Sequence, residues 1–329
     1  MTAIDPLEPI PLVVLTGFLG AGKTSWLNGA LKAPELAETL VIINEFGEAG
    51  LDHMLVEDAS GDVVLMAAGC LCCSLRQDLV ATLEDLLRRR DNRRMPIFRR
   101  VVIETTGLSD PLPILQSVLQ HPYLSKRFDI RGVITFVDAL NGAPTLAEHE
   151  AAQRQVALAD ALVLTKEDLA SPAQIKATRE AITALNSRIG PTPVAAFAPG
   201  DLFTSRFLPA EDAQFATWLG EQPTLANHAA GIESFAFLSD AAISAATLMV
   251  FQEAMRVLHG PRLLRLKGII HMAEHPEEPM VIHHVQSIAH PPKKLARWPG
   301  RDRRSRLVFI TQGIPRDTIE GFWTALAKG

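Results

Sequence analysis

At 329 residues the chain has room for about two domains, and its 47% apolar and 21% charged residues supply a sizeable core, which excludes a disordered or collagen-like chain. A net charge of −5 removes the electrostatic case for nucleic acid as a partner. No apolar run approaches the roughly 20 residues that span a bilayer, so no membrane partner is expected; Asp5 and Glu8 stand where a secretory signal would be basic, and the expected location is cytoplasmic.

In chain order, Leu12–Thr16 reads as a short buried strand closed by Gly17, and Lys23–Leu31 as a helix. Leu40–Asn44 is a second apolar strand. Leu75–Arg90 is helical, with Leu75, Leu79, Leu83, Leu86 and Leu87 on one face. Strands follow at Arg100–Glu104, Gly132–Asp138, Ala161–Thr165 and Pro193–Phe197. Short strands alternating with helical segments predict an α/β domain with a mostly parallel sheet covered on both faces. Residues 207–231 hold Pro209 and Pro223 with little periodicity and read as a linker. Beyond it come a strand (Glu233–Leu238), a helix (Asp240–Leu258), strands at Arg262–Met272, Met280–Ala289 and Arg306–Thr311, and a helix (Arg316–Ala327). Strands next to strands predict a smaller α+β domain with an antiparallel sheet. The predicted division is therefore 1–206, linker 207–231, and 232–329.

Gly17-Phe18-Leu19-Gly20-Ala21-Gly22-Lys23-Thr24 fits G-x-x-x-x-G-K-[ST] in full and lies between a strand and a helix. Such a loop turns its backbone N–H groups on phosphate oxygens, with Gly17, Gly20, Ala21 and Gly22 forming the cradle, and the helix N-terminus adds its positive end. Lys23 reaches the outer phosphates, and the Thr24 hydroxyl is the candidate Mg²⁺ ligand. Glu104 ends an apolar strand, where a carboxylate holds Mg²⁺ or a water, and Gly107 lets a backbone N–H approach the terminal phosphate. Thr165-Lys166-Glu167-Asp168 ends another strand. An Asp at the base edge accepts from both N1–H and the 2-amino group of guanine, while adenine offers no such pair, so Asp168 selects guanine and the Lys166 stem packs on the base. The usual motif begins with Asn, and here Thr165 stands in its place.

The three cysteines of the chain, Cys70, Cys72 and Cys73, fall within four residues. That spacing makes a poor disulfide framework and a metal or redox site in a reducing compartment. Three thiolates take three corners of a tetrahedron, and soft sulfur suits Zn²⁺ or Co²⁺, not Mg²⁺. Asn44–Asp52 supplies Glu45, Glu48 and Asp52 between the phosphate loop and this cluster; it is a candidate switch with a carboxylate near Mg²⁺ or the metal. His283 and His284 are neighbours on a strand, so they face opposite ways and do not share an ion. The seven arginines of Arg88–Arg100 and the seven basic residues of Lys293–Arg306 read as solvated faces.

GFLGAGKT at Gly17–Thr24, NEFG at Asn44–Gly47, GCLCC at Gly69–Cys73 and IETTGLSDP at Ile103–Pro111 together resemble the CobW-like metallochaperone GTPases. Leu263–Gly268 and Arg304–Ile310 resemble that family's second domain, so the likeness covers most of the chain. The resemblance implies GTP hydrolysis with Mg²⁺ and a metal ion held by Cys70, Cys72 and Cys73 in a nucleotide-dependent way. It further implies delivery to a client metalloprotein and a nucleotide-dependent dimer. Lys23, Glu104, Glu45 and Asp52 are then the candidate catalytic residues, with Ser25, Lys166 and Asp168 joining the nucleotide contacts. Zinc is the expected cargo; the alternatives are a cobalt chaperone linked to cobalamin biosynthesis and a zinc-binding interaction module whose nucleotide site is not essential. The chain carries no His-rich tract, which argues against metal storage.

Overall fold

The structure, a computed structural model, describes residues 8–44, 64–68, 75–187, 189–204, 226–227 and 231–328. The chain divides into two compact units. The first comprises Met1–Thr145, Arg154–Thr178 and Pro191–Phe207; the second comprises Leu146–Gln153, Arg179–Gly190 and Leu208–Gly329.

The first unit is built on a sheet of strands β1 (Ile10–Gly17), β2 (Thr39–Asn44), β3 (Val64–Ala68), β4 (Arg100–Thr105), β5 (Phe128–Asp138), β6 (Ala161–Thr165) and β7 (Thr192–Pro193). Their order is β3-β2-β4-β1-β5-β6-β7, and every neighbouring pair is parallel. Parallel strands need helical crossovers, here including α1 (Lys23–Ala30), α2 (Leu75–Asp91), α3 (Leu112–Leu119), α4 (Leu124–Arg127), α5 (Gly142–Glu148), α6 (Glu150–Leu158) and α7 (Pro172–Leu185). Val13, Leu15, Val41, Val102, Ile134 and Phe136 form one buried cluster with Leu27 of α1. Their strand neighbours Leu12, Val14, Leu40, Ile42, Val101 and Ile103 are buried too. A strand buried on both faces reads as a continuous apolar run, which is why these strands were evident without alternation. β1 lies between β4 and β5. The chain leaves it toward β2 and β3, returns to β4, then crosses to β5, so the carboxyl ends around β1 mark the switch point where such sheets bind ligands.

The second unit holds an antiparallel sheet of β8 (Ala226–Asn227), β9 (Ile232–Ser239), β10 (Leu263–Ile270), β11 (Met280–Val285), β12 (Ile288–Ala289), β13 (Lys293–Lys294) and β14 (Ser305–Gln312). The order is β12-β11-β10-β14-β9-β8, with β13 on β11. Helices α8 (Ala245–Leu258) and α9 (Arg316–Lys328) bury Phe251, Met255, Ile319 and Trp323 against Phe235, Phe237 and Phe309. The Phe251 and Trp323 rings meet edge to face at 4.9 Å. Truncating Phe251 to alanine is expected to destabilise this unit by about 3–5 kcal/mol through lost burial plus a residual cavity; a urea unfolding curve checks it.

Three sequence expectations are corrected, and one strand is added. The strand expected at Pro193–Phe197 is only Thr192–Pro193, followed by a 3-10 turn at Val194–Ala196. The helix expected from Asp240 starts at Ala245, because Ser244 is its cap and its Oγ accepts from the Thr247 N–H at 3.1 Å. The strand expected over Met280–Ala289 breaks after Val285, where Gln286 has φ of 50°. β3 is a strand the sequence reading lacks: its run Val64-Leu65-Met66-Ala67-Ala68 ends in two alanines, a residue depleted in strands, and periodicity alone does not tell it from a helical segment. The histidine expectation matches the contacts. His284 pairs with Gln252 of α8 at 3.1 Å, whereas His283 stacks on His290 at 5.1 Å and meets Arg265 at 3.3 Å. Burial pushes the His284 imidazole down to about 4 and His283 well below its usual value.

Candidate nucleotide site

The phosphate loop follows β1. Ala21 N–H donates to Phe18 O at 3.1 Å, which closes the turn. Gly22 caps α1 at φ of 83°, a left-handed conformation that glycine adopts without strain. Gly20 and Ser25 are exposed, and Ala21 is buried in the core below the loop. Lys23 Nζ donates to Gly17 O at 2.7 Å and Phe18 O at 3.3 Å, so its ammonium lies curled inside the loop. Burial pushes the Lys23 pKa down, opposed by the nearby Glu104 charge.

Thr24 Oγ1 donates to Glu104 Oε1 at 2.6 Å. The two groups come from α1 and the end of β4, 80 residues apart, and Glu104 is only 3% exposed. Beside them, the Thr16 and Thr105 hydroxyls bond at 2.7 Å. A hydroxyl and a carboxylate at one point suit Mg²⁺, which takes hard oxygen ligands and keeps several waters.

At the end of β6, Thr165 Oγ1 lies 2.9 Å from Ala21 O and 3.2 Å from Val137 O. The hydroxyl thus ties the end of β6 to the phosphate loop. Lys166 has φ of 57° and donates to Asp138 Oδ2 at 2.6 Å. Asp138 also accepts from the Leu140 and Asn141 N–H groups, so it is both a cap and the partner of Lys166. Burial pushes the Asp138 carboxyl up, and the hydrogen bonds from Lys166, Leu140 and Asn141 outweigh it, leaving the pKa lowered. Asp168 is exposed, within the turn in which Leu169 N–H donates to Lys166 O at 3.1 Å.

Gly107 abuts the phosphate loop: a Cβ there would lie 2.4 Å from Leu19 N. Sequence reasoning missed what holds this segment. Gln155 on α6, 1% exposed, donates to Gly107 O at 3.1 Å and Ser109 O at 3.0 Å. Arg154 beside it pairs with Asp110 at 2.8 Å. A glutamine and an arginine adjacent in a helix otherwise rich in Ala, Val and Leu are the only sequence signal, and no motif spacing marks them.

Cys70, Cys72, Cys73, Glu45, Glu48 and Asp52 lie outside the described residues. Among the described residues no group of three or more His, Cys, Asp or Glu side chains is placed to hold a metal ion, and no helix is long and apolar enough to cross a membrane.

Residues 11–190 match the CobW/HypB/UreG nucleotide-binding domain, and residues 232–327 match the cobalamin synthesis protein cobW C-terminal domain. The chain is 31% identical over 330 residues to the zinc chaperone YjiA of Escherichia coli strain K12, covering 98% of this chain and 100% of that protein. It is 34% identical over 187 residues to the zinc-regulated GTPase metalloprotein activator 1 of Schizosaccharomyces pombe, covering 55% of this chain and 44% of that one. A crystal structure of Zn(II)-bound YjiA GTPase from E. coli superposes with a TM-score of 0.71 at 25% identity, covering 97% of this chain and 99% of that one. A relative matched from end to end, together with a nucleotide-binding model spanning more than half the sequence, makes this chain a member of the CobW/HypB/UreG family and a P-loop GTPase.

Proposed function

We propose that this GTPase is a zinc metallochaperone in which bound GTP assembles, and hydrolysis dismantles, a thiolate site of Cys70, Cys72 and Cys73. The observation that carries the reading is the joined site. The phosphate loop is tied to Glu104 through Thr24 and to the base-edge segment through Thr165, while GCLCC lies in the sequence between that loop and Glu104. The names of the relatives support zinc as the cargo. Co²⁺ accepts the same tetrahedral sulfur set and is the competing ion.

In this reading the loop N–H groups and Lys23 hold the phosphates, and Asp168 and Lys166 hold guanine. Thr24 and Glu104 would hold Mg²⁺, which would supply positive charge against that building on the phosphate oxygens. The attacking water is oriented at the Glu104 end, with Glu45 and Asp52 as the further candidate groups. Residues 1–206 act as the GTPase, 207–231 as the linker, and 232–329 as the second domain. The site works in the reducing cytoplasm, where the thiols stay available for metal. A client metalloprotein receives the ion, and a GTP-bound dimer is the assembly in which it is handed over.

Nucleotide changes metal affinity only through its differential binding to two states, and a coupling of about 1–3 kcal/mol corresponds to roughly 5–150-fold. Zn²⁺ titrations in GDP and in a non-hydrolysable GTP analogue are expected to differ within that range. Replacing Cys70, Cys72 and Cys73 by serine is expected to abolish tight Zn²⁺ binding and spare GTP binding. Equal Zn²⁺ affinity in the two nucleotides would sink the coupling, and loss of nucleotide binding in the triple variant would make the cysteines core residues.

A further inference from the structure

Gln155 is an unusual choice for its position. It is 1% exposed, and the residues that follow it, Val156, Ala157 and Leu158, are buried and apolar. Its amide nitrogen is fully used, donating to the Gly107 and Ser109 carbonyls. Among the described residues its buried Oε1 has no hydrogen-bond partner. A buried acceptor left unpaired is unfavourable, and an apolar side chain of the same length avoids it. The residue is thus held by what its nitrogen does.

That nitrogen fixes the segment directly after Glu104. Gln155 is itself anchored, since its backbone O accepts from Thr135 Oγ1 on β5 at 2.8 Å. Ser109 N–H donates to Thr106 O at 3.2 Å, and the Thr106 and Ser109 hydroxyls bond at 2.6 Å. Arg154 holds Asp110, whose Oδ1 accepts from the first N–H of α3 at 2.9 Å. The carbonyls of Thr106 and Gly107 are therefore both committed. In a trans peptide the N–H points opposite to its C=O. The Gly107 and Leu108 N–H groups are consequently turned away from these partners, at the place where Gly107 presses on Leu19 of the phosphate loop.

We infer that Gln155 is a positioning residue for GTP hydrolysis: by holding the Gly107 and Ser109 carbonyls it presents the Gly107 and Leu108 N–H groups to the terminal phosphate of GTP. GDP lacks that phosphate, so the device discriminates between the two nucleotides. The inference rests on the nucleotide half of the proposed function and requires no transition metal.

The test compares Gln155→Met, which keeps length and removes the donors, with wild type in buffer that contains Mg²⁺ and no transition metal. Affinity for a non-hydrolysable GTP analogue and single-turnover hydrolysis are each expected to fall about tenfold or more, while GDP affinity stays within about twofold. Parallel loss of both nucleotides with a lowered melting temperature would make Gln155 a packing residue and overturn the inference, as would unchanged hydrolysis. Hydrogen exchange on the wild-type chain tests it without a variant. The Leu108 amide is expected to be protected by the GTP analogue and not by GDP, and equal protection overturns the positioning role. If the wild-type chain hydrolyses no GTP at all, the nucleotide reading itself fails, and this inference with it.

Discussion

Replacing Lys23 by alanine is expected to lower GTP turnover by at least about 100-fold, the scale on which one preorganised donor to developing charge acts. Lys23 Nζ rests on the carbonyls of Gly17 and Phe18. These are weak substitutes for phosphate oxygens, because a neutral carbonyl stabilises an ammonium less than an anion does. Burial already disfavours the charged form. A phosphate entering the loop relieves this by supplying the opposite charge. The fold therefore draws little from the charge, and the Ala variant is expected to melt within about 4 °C of wild type. Phosphate release, isothermal titration with GTP and GDP, and a thermal scan check the three parts together. Collapse of the fold in parallel with turnover would mean that the lysine holds the loop and not the substrate.

The legible parts of this molecule are those whose chemistry is local. The phosphate loop is read at once because its glycines, lysine and threonine act through backbone geometry within eight consecutive residues. The buried strands β1, β2, β4 and β6 stand out as apolar runs ending at polar residues. What sequence conceals is pairing at a distance. Thr165 departs from the usual Asn, yet its hydroxyl reaches Ala21 O, 144 residues away. Asp138 looks like a strand-end cap, and its bond to Lys166 appears only once β5 and β6 lie side by side. Gln155 meets Gly107 across 48 residues. Each is a single polar side chain whose meaning lies in a carbonyl or an ammonium contributed by a loop distant in sequence. Helix ends are likewise hidden where a cap competes with apolar continuity, as Ser244 does before α8.

The second large effect concerns the base. Changing Asp168 to asparagine is expected to weaken GTP binding by about 100-fold or more and to bring xanthosine triphosphate to comparable or better affinity. A site built to hydrogen-bond a substrate group discriminates strongly, because a mismatch leaves buried polar groups unpaired. In the proposed site the carboxylate would accept from both guanine donors. Asparagine keeps one acceptor and turns an N–H toward the 2-amino group, donor against donor. Xanthine carries a carbonyl at that carbon, so the same N–H then finds an acceptor while the amide oxygen still takes the N1 proton. Lys166 stays on Asp138 in the variant, and Thr165 still tethers the segment to Ala21, so the frame around the base is unaltered and hydrolysis of xanthosine triphosphate should approach the wild-type rate with GTP. Competition titrations with GTP, xanthosine triphosphate, inosine triphosphate and ATP read the preference directly. Unchanged discrimination in Asp168→Asn would move base recognition to other residues, whereas loss of every nucleotide alike would show that Asp168 shapes the turn after β6 and does not contact the base.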